Sequence, residues 1–306
     1  MMKSVESLVS RNLYELNKEN LRKSIELQKM RSSKISFHNL KSFFLRIFYG
    51  GFKKTIRRLF NKKRIGDREF VLKDYDAYPQ SKVVVYTSIF GKYDGLLEPF
   101  FVSENIDYFV ITDSEIPKES IWKKMDIDLM NQNEHMSPVQ KNRFCKMLPH
   151  RFFRQYDYSI YIDGNIRVVT DLMPLICDLG QKTIGIHDYQ TNCIYEMKNS
   201  IIIGKRAHRK DVIKQINKYK KEGFPKEFGA FECNVIVRKH NDELCAELME
   251  KWWEEFESTT SKRDQLSLPY VLWKNGLSKD YVCSLGYHVR ENPRFIVYPK
   301  HSGAKK

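Results

Sequence analysis

An aspartate closes the apolar run Tyr158-Ser159-Ile160-Tyr161-Ile162-Asp163, and Gly164 and Asn165 follow before apolar residues resume at Ile166. A carboxylate at the tip of a buried strand is placed to hold Mg2+ or Mn2+ against a phosphate-bearing ligand, because hard cations take oxygen ligands. Gly164 lets a ligand approach the backbone closely. Asn165 offers only a neutral amide oxygen, a weaker metal donor than a second carboxylate. The same three residues also make an ordinary strand-to-turn transition, in which Asp and Gly serve geometry alone. Asp126-Ile127-Asp128 repeats the acidic spacing after Trp122-Lys123-Lys124, and it reads as a solvated segment with no buried strand before it.

Further groups carry charge or reactive side chains. Lys146 stands seventeen residues before Asp163, where a lysine reaches nucleotide phosphates as a point charge, and Arg143 is a second candidate. Glu232 and Asn234 lie at the polar start of Phe231–Arg238, a place to meet a sugar hydroxyl. Arg263, Asp264 and Gln265 open an apolar helix, although the helix dipole alone favours an aspartate there. His301, in Pro299-Lys300-His301-Ser302-Gly303, is either a metal ligand or a tail residue.

An α/β body must position these residues. Val83–Gly91 is a β-branched run ending in small residues, and it predicts a central strand with a binding loop at its carboxyl end. Tyr108–Thr112 predicts a second strand, and a helical pattern over Val139–Arg154 leads into the strand that carries Asp163. Thr183–Ile186, Ile201–Ile203 and Asn234–Val237 predict further strands, with helices over 205–221 and 241–257. Strands alternating with helices imply an α/β fold with a parallel or mixed sheet.

Composition narrows the class. The 306 residues suffice for one large domain with an appendage, and 42% hydrophobic residues support a core. Six scattered cysteines form no CxxC pair, which fits packed, reduced thiols in a cytosolic compartment. No apolar run has the length of a bilayer-spanning helix. Residues 1–75 hold 19 Lys and Arg against 7 Asp and Glu, a surplus of 12 out of the chain's net +15. Basic character therefore belongs to this N-terminal extension, and the body spans about 81–303. Residues 1–35 read as helical and polar, a spacer or self-association element. Leu40, Phe44, Phe48, Phe52, Ile56 and Phe60 then recur every four residues beside Lys41, Arg46, Lys53, Lys54, Arg57 and Arg58. Such a stripe fits residues 38–64 to an anionic membrane surface; nucleic-acid binding and packing on the body are the competing readings.

The order of these pieces resembles the donor-binding core of GT-A glycosyltransferases. Lys146-Met147-Leu148-Pro149, then Tyr161-Ile162-Asp163-Gly164-Asn165, Glu232-Cys233-Asn234, Asp264-Gln265 and His301-Ser302-Gly303 follow the pattern of glycosyltransferase family eight, which has Asp-x-Asp at the turn. Tyr86–Asp94, Lys146–His150, Tyr161–Asn165 and Arg263–Ser267 are more closely similar to a glycosyltransferase-like family once catalogued as a domain of unknown function, found in bacterial surface-polysaccharide loci and plant wall proteins. The resemblance covers about residues 82–302. It implies a GT-A-type, Rossmann-like mixed sheet flanked by helices and a nucleotide-sugar donor. Asp163, Asn165 and His301 would bind a divalent cation, and Lys146 would neutralise the diphosphate. Thr87 and Asp94 would line the nucleotide loop. Asp264 and Gln265 would sit beside the transferred sugar, and Glu232 or Asp264 would serve an inverting reaction as base. A retaining reaction would use Gln265 or Asp264 instead, so stereochemistry stays open. Acting on a glycan or lipid-linked acceptor, such a chain belongs on the inner face of a membrane. An inactive sugar-nucleotide-binding protein and a nucleotidyltransferase are the alternative readings.

Overall fold

A computed structural model describes residues 2–32, 80–125 and 135–298. The aromatic and basic stripe over 38–64, Asp126-Ile127-Asp128 and His301 lie outside the described residues.

The body is built on β1 (Val83–Ile89), β2 (Ile106–Thr112), β3 (Lys123–Met125), β4 (Tyr158–Ile162), β6 (Ile184–Asp188), β7 (Phe231–Arg238) and β8 (Val282–Ser284). These strands form one seven-stranded sheet in the order β3-β2-β1-β4-β7-β6-β8. β7 runs antiparallel to both of its neighbours, and the remaining pairs are parallel. Every residue of β1 is buried, as expected of a central strand covered on both faces. Alternate residues feed two cores. Val84, Tyr86, Tyr161 and Ile236 belong to one, while Val83, Val85, Ile160 and Val237 belong to the other. The expected mixed α/β architecture is therefore what the chain forms.

Helices α2 (Pro138–Met147), α4 (Ile194–Ile203), α5 (Arg209–Lys221), α6 (Glu243–Ser258) and α7 (Asp264–Lys274) supply buried residues to the first core. The short α3 (Met173–Leu179) supplies the second. Ile201–Ile203 is the last turn of α4 and not a strand. Ile194, Met197 and Ile201 are its buried residues, a helical repeat that the triple isoleucine obscures. α2 ends at Met147, short of the predicted Arg154, because Pro149 disfavours helical backbone at Leu148 and starts a separate 3-10 turn. The strand before Asp126 is the short edge strand β3, none of whose residues is buried.

The N-terminal α1 (Met2–Ser32) is helical as expected, but it docks on the body and is not a free spacer. Asn17 Nδ2 donates to the Pro293 carbonyl at 2.8 Å, and Ser10 Oγ accepts from the Asp171 amide at 2.9 Å. Tyr14 is only 1% exposed and lies near the Arg294 guanidinium. The segment that α1 grips includes β9 (Phe295–Val297), which pairs antiparallel with β5 (Ile166–Val168) just after the Asp163 turn.

Candidate active site

The site assembles where β4 ends. Strand β4 stops at Ile162, and Asp163 begins a tight turn whose Ile166 amide donates back to the Asp163 carbonyl at 2.9 Å. On the other side β7 carries an irregularity. Its pairing with β6 jumps from Ile186↔Ile236 to His187↔Glu232, leaving Cys233, Asn234 and Val235 without partners on β6. Such bulges re-aim a strand next to functional sites. Here the Asn234 carbonyl accepts the Asp163 amide at 2.9 Å, which ties the two strand ends together.

α2 brings Lys146 and Arg143 to the turn. Its N-terminus is fixed by a capping box between Ser137 and Gln140, with Pro138 in the first turn. Its C-terminal carbonyls are held from the sheet: Tyr86 OH donates to Lys146 O at 3.0 Å, and Arg238 donates to Tyr86 OH at 2.6 Å. Arg238 is wholly buried, and its positive charge at the end of α2 complements the helix dipole.

Lys146, 1% exposed, bridges two carboxylates. Its Nζ lies 2.8 Å from Asp264 Oδ2 and 3.3 Å from Asp163 Oδ1, with the Tyr161 ring centroid 5.0 Å away. Arg143 Nε approaches the same Asp264 oxygen at 3.1 Å. Burial alone would raise the Asp264 pKa, but Arg143, Lys146 and Arg263 outweigh it and hold the carboxyl well below the usual range. Burial would likewise lower the Arg143 pKa, and Asp264 with Asp163 reverses that. Both groups are charged at any working pH. Asp264 Oδ1 also accepts the Gln265 amide at 3.1 Å, so both its oxygens are engaged and it anchors cations more readily than it takes up a proton.

Thus Arg143, Lys146, Asp163, Arg263, Asp264 and Gln265, predicted from three separated segments, come together. Gly164 sits against the β1 loop: a Cβ there would lie 3.0 Å from Ile89 Cγ1 and 3.1 Å from Asp94 Oδ2. Asp94, expected in the nucleotide loop, therefore abuts the turn. Thr87 and Gly164 line one crevice, with Leu96, Leu97 and Trp122. It has essentially no room for a water-sized group, against the several hundred Å³ typical of ligand pockets. Thr87 Oγ1, Asn234 Oδ1 and Arg263 Nε are buried without a hydrogen-bond partner among the described residues. Buried polar atoms are rarely left so, and a ligand is one explanation.

Two expectations fare differently. Glu232 turns toward the C-terminal segment, accepting from the Val289 amide at 3.2 Å and lying 3.2 Å from His288 Nε2. Burial pushes it up to about 7 and pushes His288 down to about 4, so both lean toward the neutral form. Those contacts make Glu232 a support of the wall rather than a free base. Asn165 spends its amide N–H on the Tyr298 carbonyl at 2.9 Å, pinning the turn to the end of β9. Of the expected metal ligands, His301 lies outside the described residues and the two at the turn make a weak pair: Asn165 offers one neutral oxygen, and Asp163 Oδ1 already accepts from Tyr161 OH at 3.0 Å and from Lys146. No group of three Asp, Glu, His or Cys side chains able to hold a metal occurs among the described residues.

Sequence reasoning missed Asn142 and Tyr161. Asn142 Nδ2 donates to Ser88 Oγ at 3.0 Å and so locks α2 to β1, while the Tyr161 hydroxyl orients Asp163. The helical spacing of Asn142 and Lys146, four residues apart on α2, was the available signal.

Among solved structures the chain is similar to the WbbM bifunctional glycosyltransferase, with 15% identity over 70% of this chain and a TM-score of 0.44. It is also similar to the glycosyltransferase GlyE of Streptococcus pneumoniae TIGR4, with 15% identity over 67% and a TM-score of 0.36. Galactosyltransferase LgtC, crystallised with donor and acceptor sugar analogues, shows 16% identity over 66% of this chain and 72% of its own, with a TM-score of 0.37. The chain spans only 40% of WbbM and 45% of GlyE. No curated protein matches it significantly. The profile of the TOD1/MUCI70 glycosyltransferase-like domain matches residues 47–298. That match begins within the basic stretch, earlier than the motif resemblance, and bears out the glycosyltransferase-like class. With most of its length matched, the chain belongs to the TOD1/MUCI70 glycosyltransferase-like domain family.

Proposed function

We propose that this chain transfers a sugar from a nucleotide-sugar donor to a glycan or lipid-linked acceptor in the synthesis of a cell-surface polysaccharide. The observation that carries the reading is Lys146 Nζ bridging Asp163 and Asp264, which unites the three separated donor motifs around one buried charge. In the transfer, the bond from the anomeric carbon to the diphosphate breaks while the acceptor hydroxyl oxygen forms a new bond to that carbon and gives up its proton to the departing diphosphate or to water. Negative charge grows on the departing diphosphate, and preorganised cations in a dry site stabilise it. Arg143, Lys146 and Arg263 supply them. Gln265, half-buried beside Asp264, offers an amide to sugar hydroxyls, and Asn234 Oδ1 offers an unclaimed acceptor. Holding the acceptor hydroxyl in line contributes the entropic part of the rate. The proposed setting is the inner face of a membrane, with residues 38–64 on the anionic surface.

The test is binding and turnover with a panel of nucleotide sugars. One donor is expected to bind and to be hydrolysed slowly, and Asp163→Ala is expected to abolish hydrolysis. Binding without turnover in any acceptor mixture favours the inactive binding protein. Release of pyrophosphate from a nucleoside triphosphate and a sugar phosphate favours a nucleotidyltransferase. Absence of binding to every donor overturns the proposal.

A further inference from the structure

We infer that the donor diphosphate is held by the protein's own cations, Arg263 and Arg143 with Lys146 behind them, and needs no divalent metal. This rests on the donor-site reading and deepens it. Around the turn, Arg143, Lys146 and Arg263 face Asp163 and Asp264, which leaves one positive charge in excess. Arg206, exposed on the loop between α4 and α5, acts on Arg263 and offsets the Asp94 carboxylate beside Gly164. A nucleotide sugar carries two negative charges on its diphosphate, and the remaining positive surplus favours that ligand.

The geometry agrees with the charge count. Arg263 Nε is buried and has no hydrogen-bond partner among the described residues, and its Nη2 reaches only Gln265 Oε1, at 3.5 Å. Burial lowers the Arg263 pKa, Asp264 opposes this, and Arg143 and Arg206 add to the lowering. An arginine held in such surroundings lacks an anion, and the planar guanidinium matches the geometry of phosphate oxygens. The acidic turn, by contrast, is a poor cation site. Asp163 Oδ1 receives Lys146 and Tyr161, which leaves Asp163 Oδ2 and the neutral Asn165 Oδ1 as the turn's own oxygens for a cation. A divalent ion there would also face the repulsion of three neighbouring cations.

Calorimetry on the full chain with UDP, GDP and their sugar esters, in Mn2+ and in excess EDTA, tests this, together with electron paramagnetic resonance of Mn2+ alone. The expected result is an affinity for one nucleotide that changes less than about threefold between Mn2+ and EDTA, and no tight Mn2+ site. Arg263→Ala is expected to weaken that nucleotide about 10- to 100-fold, the range for a hydrogen bond to a charged group. Arg263→Lys should recover part of the loss. Lys123→Ala, which removes an equal charge at the far edge strand, should change little. Arg263 makes no close ion pair and only the 3.5 Å contact with Gln265 among the described residues, so Arg263→Ala should keep a Tm near the parent's, which separates lost binding from lost folding. Binding that disappears in EDTA overturns the inference and leaves the transferase proposal standing. No nucleotide binding in either condition overturns both.

Discussion

Lys146 shows how one residue couples stability to function at this site. An ammonium has three N–H donors, and two are spent on Asp264 and Asp163. Breaking such a buried pair by removing one partner typically costs about 3–5 kcal/mol, so activity lost in Asp264 variants must be separated from lost folding. Glu232 offers a cleaner measurement. Its carboxyl is pushed up to about 7 from an ordinary 4.5, chiefly by burial. Between those values the folded chain binds more protons than the unfolded one, so this group's contribution to stability falls as pH rises from 4.5 through 7 and is flat above. His288, pushed down to about 4, runs the other way, losing stability as pH falls from 6.5 through 4. Comparing Glu232→Gln with the parent cancels the histidine, because it is present in both. The variant should gain stability relative to the parent on going from pH 5 to pH 8, by on the order of 2 kcal/mol. Urea midpoints at the two pH values read this out, and a pH-independent difference would mean that Glu232 is already ionised at pH 5.

Among elements, the Asp163 turn is where the backbone is most constrained. A Cβ on Gly164 would lie 3.0 Å from Ile89 Cγ1 and 3.1 Å from the Asp94 side chain, so β1's end and the turn pack where a side chain is missing. Gly164→Ala is expected to cost about 1–3 kcal/mol, as overpacking does. It should also weaken nucleotide binding by moving Asp163 against Lys146. A variant with unchanged melting and unchanged affinity would show that Asp94 swings aside freely. The requirement for glycine here was legible in the chain, because Asp-Gly after a buried run marks a tight turn. Strand β1 and the helix carrying Lys146 were legible for the same reason: apolar runs and breakers were adjacent in sequence. The role of Asn165 was not. Its partner, the Tyr298 carbonyl, is 133 residues away, and no local pattern announces a backbone acceptor. The Cys233–Val235 irregularity arises from pairing with β6, and the raised Glu232 pKa comes from burial in the folded chain, which the Val289 amide partly opposes. Ile201–Ile203 misled for the opposite reason. Three isoleucines have strong strand propensity, but burial of Ile194, Met197 and Ile201 on one helical face decides the element.

At the scale of the whole molecule, the basic stretch is joined to the body at both ends. Before it, α1 is hydrogen-bonded to Asp171 and Pro293; after it, the chain enters β1 at the centre of the sheet. No helix among the described residues is long and apolar enough to cross a membrane. If residues 38–64 lie on an anionic surface, attachment at both ends limits how far the body can swing from that surface. Each Lys or Arg near such a surface contributes about 1 kcal/mol, and that attraction decays within a Debye length of about 10 Å at 0.1 M salt. Flotation of the full chain with phosphatidylserine-containing vesicles should therefore recover it at low salt and release it at 1 M. Replacing Lys53, Lys54, Arg57 and Arg58 by glutamine should weaken vesicle affinity by about three orders of magnitude while leaving nucleotide affinity unchanged, because those residues are remote in sequence from every donor motif. Equal recovery with neutral vesicles would sink the electrostatic account. Retention on duplex DNA that weakens steeply with salt, with no vesicle binding, would instead assign the same charges to nucleic acid.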